Sequence, residues 1–195
     1  MCPQAVEGLC VRLAMGVFPP GQEVSVQFTS NELYHLINTH PSDRHLWLSG
    51  ADLTGAPLSR AELRHANLSK ADLSGANLSG ADLSAACLNG ANLSGADLAE
   101  ATLRGARLDA ANLHEANLRQ ADLHDAKLQG ADLSGADLSG ADLSEADLTG
   151  ANLAQATMTL ANLRGADLRQ AHLNRVDLSM AMLNGALLPE GFASE

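Results

Sequence analysis

The sequence predicts an all-β solenoid, in which one short unit recurs along the chain around a narrow aliphatic core. Three observations support this fold class: an unbroken five-residue repeat, Leu at the centre of each repeat with Ala two residues earlier, and Gly concentrated at the end of the repeats. An internal repeat of fixed period is the sequence signature of repeat architectures. Each pentad is therefore predicted to form one short extended side and one corner.

The repeat runs from residue 46 to residue 190 as 29 consecutive pentads without an insertion. The centre is Leu in 28 of them, with Met158 as the exception, and the position two residues earlier is Ala in 27, with Leu46 and Val176 as the exceptions. In a helix, five residues turn the chain by about 140° beyond a whole turn, so the Leu side chains would not form a stripe. In a straight strand they would alternate between faces, because five is odd. The chain must therefore turn within every pentad.

Glycine marks where that turn occurs. Thirteen of the 17 glycines occupy the last pentad position, and the other four lie outside the pentads. Glycine adopts positive φ without a steric cost, which a tight corner requires. The last pentad position is therefore predicted to be the corner.

The pattern formed by Ala71, Asp72, Leu73, Ser74 and Gly75 resembles the pentapeptide-repeat proteins, especially the Leu-centred type abundant in cyanobacteria. The resemblance covers residues 46–190. It implies a right-handed quadrilateral parallel β-helix with four pentads per coil and the central Leu and preceding Ala inside. On that basis the 29 pentads make slightly more than seven coils, about 35 Å long at the usual spacing between strands.

Residues 1–45 carry no pentads and are predicted to form a small α/β cap, helix-strand-helix, on the first coil. Apolar residues at helical spacing predict a helix over residues 5–18, and Val24, Val26 and Phe28 alternate with polar residues as in a strand. A second short helix is predicted over residues 29–39. Such a segment is too small to fold alone. A competing hypothesis is that residues 5–18 form an amphipathic helix that binds a partner.

The aromatic residues are few and lie away from the central Leu positions. The chain holds three Phe, one Tyr and one Trp. A narrow interior filled by Leu and Ala has no room for large rings, and the open ends of a solenoid need closing. We therefore expect the rings at the ends, with Trp47 at the junction between the cap and the coils.

Composition excludes several classes of function. The formal net charge of −11 argues against direct nucleic-acid binding, which needs a clustered Lys/Arg surface. No apolar run is long enough to span a bilayer, and the first residues lack the features of a secretory signal, so we expect a cytoplasmic protein. Three cysteines form no disulfide framework. Whether Cys2 and Cys10 pair stays open.

Acidic residues recur at the second pentad position, which is Asp in 11 of the 29 pentads and Asn in seven. Asp132, Asp137, Asp142 and Asp147 belong to consecutive pentads, so on a four-sided coil they form an acidic belt, with one carboxylate on each side. We predict the belt as a surface that faces a partner.

Apolar residues replace polar ones near the carboxyl end. Leu160 and Met180 are four pentads apart and so share a column, and Met182 and Leu187 follow. Together with Phe192 they predict either a cap under the tail 189–192 or a small homodimer patch. Residues 191–195 are assigned to the tail.

No constellation of reactive residues stands out in the sequence. On a four-sided coil, His114 and His124 point away from each other, and we expect no Ser, His and Asp to converge. The glycines are already accounted for as corners. The prediction is therefore no catalytic residue, no cofactor, no metal site and no enzyme.

The leading functional hypothesis is a non-catalytic β-solenoid that serves as a rigid scaffold for an unknown protein partner, as a monomer or a weak end-to-end homodimer. Some pentapeptide-repeat proteins mimic duplex DNA and bind type II topoisomerases such as DNA gyrase, and the resemblance makes this the alternative. Those proteins tend to have Phe at the centre and loops between coils, whereas this chain has Leu and no loop within its pentads.

Overall fold

The computed structural model describes residues 9–13, 24–28 and 46–192 of the chain. The first two ranges are strands, β1 (Leu9–Leu13) and β2 (Val24–Phe28), which pair antiparallel with Leu9 opposite Phe28 and Leu13 opposite Val24. The described residues contain no helix and therefore none that is long and apolar enough to cross a membrane.

The hairpin confirms the strand predicted at Val24 to Phe28 and shows that the helix predicted over residues 5–18 is wrong for Leu9–Leu13. Leu9, Val11 and Leu13 alternate with Cys10 and Arg12, which is the period of a strand, and pairing with β2 supplies the backbone hydrogen bonds that a helix would have made internally. The partner-binding helix proposed for the same residues loses its basis. The second predicted helix, at 29–39, lies outside the described residues.

Residues 46–192 form a parallel solenoid with four pentads in each coil. Its bridges join the second residue of a pentad to the second residue of the pentad four further on, from Trp47 with Asn67 to Asp167 with Leu187. Each coil thus has four sides, as the resemblance implied. We number the sides 1 to 4 from the pentads 46–50, 51–55, 56–60 and 61–65.

Backbone hydrogen bonds run along the axis and tie each coil to the next. On side 2 the N–H of Leu53 donates to the carbonyl of Asp72 at 2.7 Å, and the N–H of Asp72 donates back to Ala51 at 2.9 Å. At the corner the N–H of Gly55 donates to Ser74 at 2.9 Å. Repetition of these bonds pairs the backbone N–H and carbonyl groups of sides that are too short to form regular strands.

The interior contains the residues that the repeat predicts. Every central residue from Leu48 to Leu168, Met158 included, is at most 1% exposed, and the Ala at the first pentad position is at most 4% exposed from Ala51 to Ala166. Burial of one Leu side chain is worth about 1.5 to 3 kcal/mol, so a core of stacked Leu and Ala layers is sufficient without aromatic rings.

The corner has positive φ whether or not its residue is Gly. The 13 glycines at the last pentad position have φ between 61° and 76°, and 14 other residues there have φ between 54° and 62°. A turn hydrogen bond closes the corner, as from the N–H of Ala76 to the carbonyl of Leu73 at 3.0 Å. Glycine relieves a strain that the other corners accept.

The second pentad position holds the corner from outside the core. Asp72 Oδ1 accepts the N–H of Ser74 at 3.0 Å and its hydroxyl at 2.7 Å, and Asn77 makes the same pair of bonds with Ser79. Asp and Asn form such local bonds readily. Their frequency at this position therefore has a structural cause that Asp and Asn share.

One rung of the solenoid is broken, on side 3 near the carboxyl end. Among the described pentads from 46 to 187, the pair 157 and 177 is the one without a bridge, and the N–H groups of Met158, Leu160 and Asp177 make no backbone bond between coils. Met180 also lacks the positive φ of other corners. After the first pentad, the repeat departs from Leu at the centre only at Met158 and from Ala at the first position only at Val176. Both residues lie on this side. Val176, which is bulkier than the Ala usual at its position, lies in one of the two pentads of the broken rung.

The two ends of the solenoid differ. In the first coil Leu48, Leu53, Leu58 and Leu63 are at most 1% exposed, whereas in the last coil Leu173, Leu183 and Leu188 are only partly buried. The core layer of the last coil is thus more exposed than that of the first coil.

We predict that Leu113→Ala lowers the free energy of unfolding by about 2 to 5 kcal/mol, because it leaves a cavity in a closely packed column. Ser134→Ala should cost much less, since Ala99 and Ala154 already occupy the equivalent outward position and the backbone bond to Asp132 remains. Urea unfolding of both variants measures the difference. Equal losses would contradict the assignment of inside and outside.

Acid should destabilise the solenoid. Hydrogen bonds from the Ser74 hydroxyl and N–H lower the pKa of Asp72 below its ordinary value of 3.8, and the corresponding bonds from Ser179 lower the pKa of Asp177. A lowered pKa in the folded state stabilises the fold above the unfolded value, and this contribution is lost as the pH falls through the folded value. We expect the urea midpoint to fall as the pH is lowered past 3.8. Replacing Asp by Asn at Asp72 and at the acidic belt should flatten the dependence, and an unchanged slope would contradict it.

Candidate interaction surfaces

The acidic belt encircles the coil 131–150, with Asp132 on side 2, Asp137 on side 3, Asp142 on side 4 and Asp147 on side 1. All four side chains are half-buried. In each, Oδ1 accepts the backbone N–H two residues later, at 3.0 Å for the first three and 3.1 Å for Asp147. The predicted belt is thus also four corner supports.

The outer oxygens of the belt are not equally available. Asp137 Oδ2 accepts a bond from Arg119 at 3.0 Å, and Asp147 Oδ2 accepts one from Gln129 at 2.6 Å. Among the described residues, nothing donates to Oδ2 of Asp132 or Asp142. The belt therefore presents its uncompensated charge on sides 2 and 4, in opposite directions.

All four belt carboxyls have a lowered pKa. Burial raises the pKa of Asp132, but the hydroxyl and N–H of Ser134, the field of His114 and the amide of Asn152 together lower it by more. For Asp142 the same balance involves Ser144, His124 and Asn162. The pKa values of Asp137 and Asp147 are lowered against burial by their own turn bonds and by Arg119 and Gln129. The belt is ionised at neutral pH.

The belt charge is confined to one coil. Residues 131–150 hold five acidic residues and no Lys or Arg, whereas residues 111–130 have a net charge of −1 and residues 151–170 a net charge of +1. Duplex DNA carries one negative charge per roughly 1.7 Å of its axis. The net charge of −9 over residues 46–195 amounts to about one charge per 4 Å of a rod this long. The protein is a rod with an acidic ring and not a uniformly charged rod.

Side 4 neutralises much of its own charge. Arg64 pairs with Asp82, and Arg104 pairs with Asp122 at 3.2 Å. Each pair joins two successive coils, because its partners are 18 residues apart and lie in stacked pentads of the same side. Arginine side chains as exposed as these gain little from such a pair, because water screens the charges. Their effect is on surface charge more than on stability.

The predicted carboxyl-terminal residues are on the surface, with one exception. The exposed fraction is 58% for Leu160, 59% for Met180, 37% for Met182 and 49% for Leu187. Phe192 is partly buried against the core. Phe192 therefore contacts the core, whereas the other four side chains are exposed.

Stacking of the coils brings Ser, His and Asp together in a hydrogen-bonded series, contrary to the prediction from the sequence. His124 Nδ1 lies 2.9 Å from Ser144 Oγ, and the Ser144 hydroxyl donates to Asp142 Oδ1 at 2.6 Å. His114 and Ser134 repeat the first contact at 3.0 Å on the opposite side. In both cases the His and the Ser are 20 residues apart, which is the length of one coil. That spacing in the sequence could have predicted the contact.

The hydrogen bonds among His124, Ser144 and Asp142 do not follow the order of a catalytic triad. In a catalytic triad His takes the Ser proton and the carboxylate orients His. Here the Ser144 proton points to Asp142, whose pKa is lowered and which is therefore a weak base. The arrangement fixes surface side chains and does not activate Ser144.

Other reactive groups do not cluster among the residues that the structure describes. Within the described part of the chain, no three His, Cys, Asp or Glu residues could hold a metal ion together, and Cys87 has a free thiol. Trp47, expected at the junction with the cap, has 63% of its surface exposed. Cys2 and the side chain of Cys10 lie outside the part of the chain that the structure describes.

The comparisons with known proteins agree with this architecture. The family model of pentapeptide repeats matches residues 48–84, 86–125, 126–165 and 156–188. No curated protein sequence matches the chain.

Two solved structures illustrate the similarity. One is full-length QnrB1, a plasmid-mediated fluoroquinolone resistance protein, 24% identical over 74% of this chain and 80% of its own, with a TM-score of 0.55. Another is HetL of the cyanobacterium Nostoc sp. strain PCC 7120, a pentapeptide repeat protein involved in heterocyst differentiation regulation, 33% identical over 82% of this chain and 92% of its own, with a TM-score of 0.35. With the family model matched across nearly all of residues 48–188, the chain belongs to the pentapeptide-repeat family.

Proposed function

We propose that this protein is a non-catalytic scaffold, a right-handed parallel solenoid that presents a rigid surface to a protein partner in the cytoplasm. One observation carries the proposal: the ladder between coils keeps the same register through all but one of its rungs in the described pentads. Outward side chains are therefore held at fixed spacings. A surface that is already ordered binds without losing further conformational freedom.

The outward side chains are fixed by contacts between coils. On side 2 the Asn112 amide donates to Asn92 and the Asn92 amide donates to Asp72, both at 3.1 Å, and Asn152 donates to Asp132 at 3.0 Å. These short side chains have few rotamers to lose when a partner arrives. The surface is suited to recognition by shape and charge.

The acidic belt is the proposed contact. Its carboxylates are ionised, its coil contains no Lys or Arg, and the outer oxygens of Asp132 and Asp142 are available for bonding. A partner with a basic patch would be attracted to this ring, and its Arg or Lys groups would form charge-assisted hydrogen bonds with the free oxygens. The partner itself is unknown.

A second candidate is an acidic DNA mimic that binds a type II topoisomerase such as DNA gyrase. The belt favours it, because five acidic residues in one coil give a local charge density above that of duplex DNA. The near-neutral coils on either side weaken it, since a duplex-binding groove contacts charge along many base pairs. The likeness to QnrB1 supports the shared fold only.

The belt can be discharged without disturbing the corners. We predict that Asp→Asn at Asp132, Asp137, Asp142 and Asp147 abolishes capture of the partner from an extract of the source cells, because the belt loses its charge. The corners stay intact, since Asn keeps the turn bond, as Asn77 does. The matched control carries the same four charge changes away from the belt, at Asp52, Asp72, Asp97 and Asp177, which also support corners.

Mass spectrometry of the captured proteins measures the outcome. We expect one protein retained by the parent chain and by the control variant, lost with the belt variant, and released as salt is raised. Equal capture by all three chains would rule out the belt as the contact. A catalytic turnover abolished by a single surface substitution would overturn the non-catalytic proposal.

The topoisomerase candidate has its own experiment. Supercoiling by purified gyrase should be altered by the parent chain and the control variant and unaffected by the belt variant. No effect of the parent chain in molar excess would eliminate this candidate and leave the scaffold proposal standing.

A further inference from the structure

The belt carboxylates are faced by the fourth pentad residues of the preceding coil. A side chain at this position reaches the second position of the next coil, 18 residues further along the chain, as Arg64 reaches Asp82 and Arg104 reaches Asp122. In the coil before the belt, four residues occupy this position and face the four belt carboxylates in chain order. They are His114, Arg119, His124 and Gln129.

Two of these four residues already bind the outer oxygen of their Asp. Arg119 donates to Asp137 Oδ2 at 3.0 Å, and Gln129 donates to Asp147 Oδ2 at 2.6 Å. Arginine keeps its charge in proteins whatever the pH, whereas the amide of glutamine has none. The same position thus provides a charged partner for one belt carboxylate and a neutral partner for another.

His114 and His124 occupy this position on sides 2 and 4, where the outer oxygen of the belt is free. His114 Nδ1 lies 3.0 Å from Ser134 Oγ, and His124 Nδ1 lies 2.9 Å from Ser144 Oγ. Both imidazoles are therefore held against the belt coil. Among the 29 pentads, His occurs at the fourth position at these two places alone. The two rings coincide with the uncompensated charge of the belt.

The neutral ring of His124 can take up a second proton without losing its contact with Ser144. The Ser144 hydroxyl donates its one proton to Asp142 Oδ1, so Ser144 Oγ accepts from the Nδ1–H of His124. Nε2 is then the ring nitrogen without a proton. A proton added at Nε2 makes the ring a cation while the hydrogen bond at Nδ1 persists.

Two carboxylates face His114, those of Glu115 and Asp132. Nε2 of His114 lies 3.6 Å from Glu115 Oε1 at the same corner. Burial raises the pKa of Asp132, whereas the bonds from Ser134 and the field of His114 lower it by more. The coils before and after carry uncharged Ser and Gly at this corner. A charge on His114 therefore acts on carboxylates.

His124 has carboxylates in the same two places. At its own corner, a bond from Lys127 lowers the pKa of Asp125, and the field of His124 adds to this effect. In the next coil, burial raises the pKa of Asp142, whereas a hydroxyl bond and the field of His124 lower it by more. Lys127 pairs with Asp125 at 2.8 Å. Among the described residues, Asp142 is left without an ion pair.

The coils before and after His124 bring two more charged groups to side 4. Arg104, directly before His124 in its column, pairs with Asp122 at 3.2 Å. The carboxylate of Glu145, at the following corner, lies against the coil beyond. Neither group donates to the outer oxygen of Asp142. The ring of His124 is therefore the cation source nearest to this carboxylate along the column.

We propose that the acidic belt is a pH-gated contact, in which protonation of His114 and His124 neutralises the free carboxylates of Asp132 and Asp142 and releases a basic partner. The inference rests on the proposed function, whose contact is the belt. Imidazole is the side chain whose ordinary titration range lies between pH 5 and 8. With both rings protonated, the formal net charge of residues 111–150 changes from −6 to −4.

The coil itself suggests variants that fix the gate in one state. His114→Gln with His124→Gln copies the neutral Gln129, and His114→Arg with His124→Arg copies the charged Arg119. Each replacement is a residue that already meets a belt carboxylate from this position. His172→Gln, two coils beyond the belt on side 2, is the matched control for loss of an exposed His.

The first measurement needs no partner. Carbon NMR of the Asp132 and Asp142 carboxyls follows their titration in the full chain. We expect the Gln variant to raise both pKa values towards the ordinary value of 3.8, because the field of each ring is lost, and the control to leave them unchanged. Unchanged pKa values in the Gln variant would overturn the gate.

The second measurement uses an acetylated hexa-arginine peptide as the basic probe, because its charge is constant between about pH 5.5 and 7.5. The lowered pKa values of Asp132 and Asp142 keep both carboxylates ionised over this range. We expect the parent chain and the control to bind at least about fivefold less tightly at the lower pH. The Gln variant should bind tightly at both pH values and the Arg variant weakly at both. Isothermal titration calorimetry measures the dissociation constants.

The outcomes distinguish the gate from the scaffold. Binding that is equal at the two pH values in the parent chain and lost in the belt variant would overturn the gate and leave the belt as the contact. No binding by the parent chain at either pH would overturn the belt as the contact and with it the gate. If the Gln variant does not fold, the Arg variant replaces it, and binding by the Arg variant as tight as by the parent chain at the higher pH contradicts the gate.

Discussion

The structure depends on a corner made once in every pentad. Positive φ at the last position and a hydrogen bond from the following Ala to the central Leu turn the chain, and four such turns bring it back over itself. The core, the ladder and the columns of surface residues all follow from that return. A residue at the second position adds the outer support, since Asp or Asn accepts the N–H across the corner. Corner and support explain why the repeat tolerates many residues at its last position and few at its centre.

The repeat predicted the fold because its signal is redundant. The pattern of Leu at the centre and Ala two residues earlier recurs over 29 pentads, so individual exceptions such as Met158 do not obscure it. The first strand was missed for the opposite reason. Leu9, Val11 and Leu13 fit a strand, but Leu9 and Leu13 also fit a helix over a short window, and the partner that decides between them is the distant segment β2. A local pattern could not supply that long-range pairing.

The sequence predicted that four acidic side chains encircle one coil, but it did not predict how their oxygens are used. The sequence located the acidic belt, but it presented Asp as surface charge, whereas one oxygen of each carboxylate supports a corner. The contact between His124 and Ser144 was not predicted, because its two residues are 20 apart in the sequence and meet only when one coil stacks on the next. The greater exposure of the last core layer is a matter of packing, which residue types alone do not give.

The coil of four pentads also sets the angular relation between distant surfaces. Adding one pentad between the acidic belt and the last coil would keep Leu inside and rotate everything beyond the insertion by a quarter turn about the rod axis. Adding four pentads would restore the original direction one coil further along. Length and orientation in this molecule therefore change together in discrete steps. Gain or loss of pentads can re-aim one surface relative to another without altering a single residue of either.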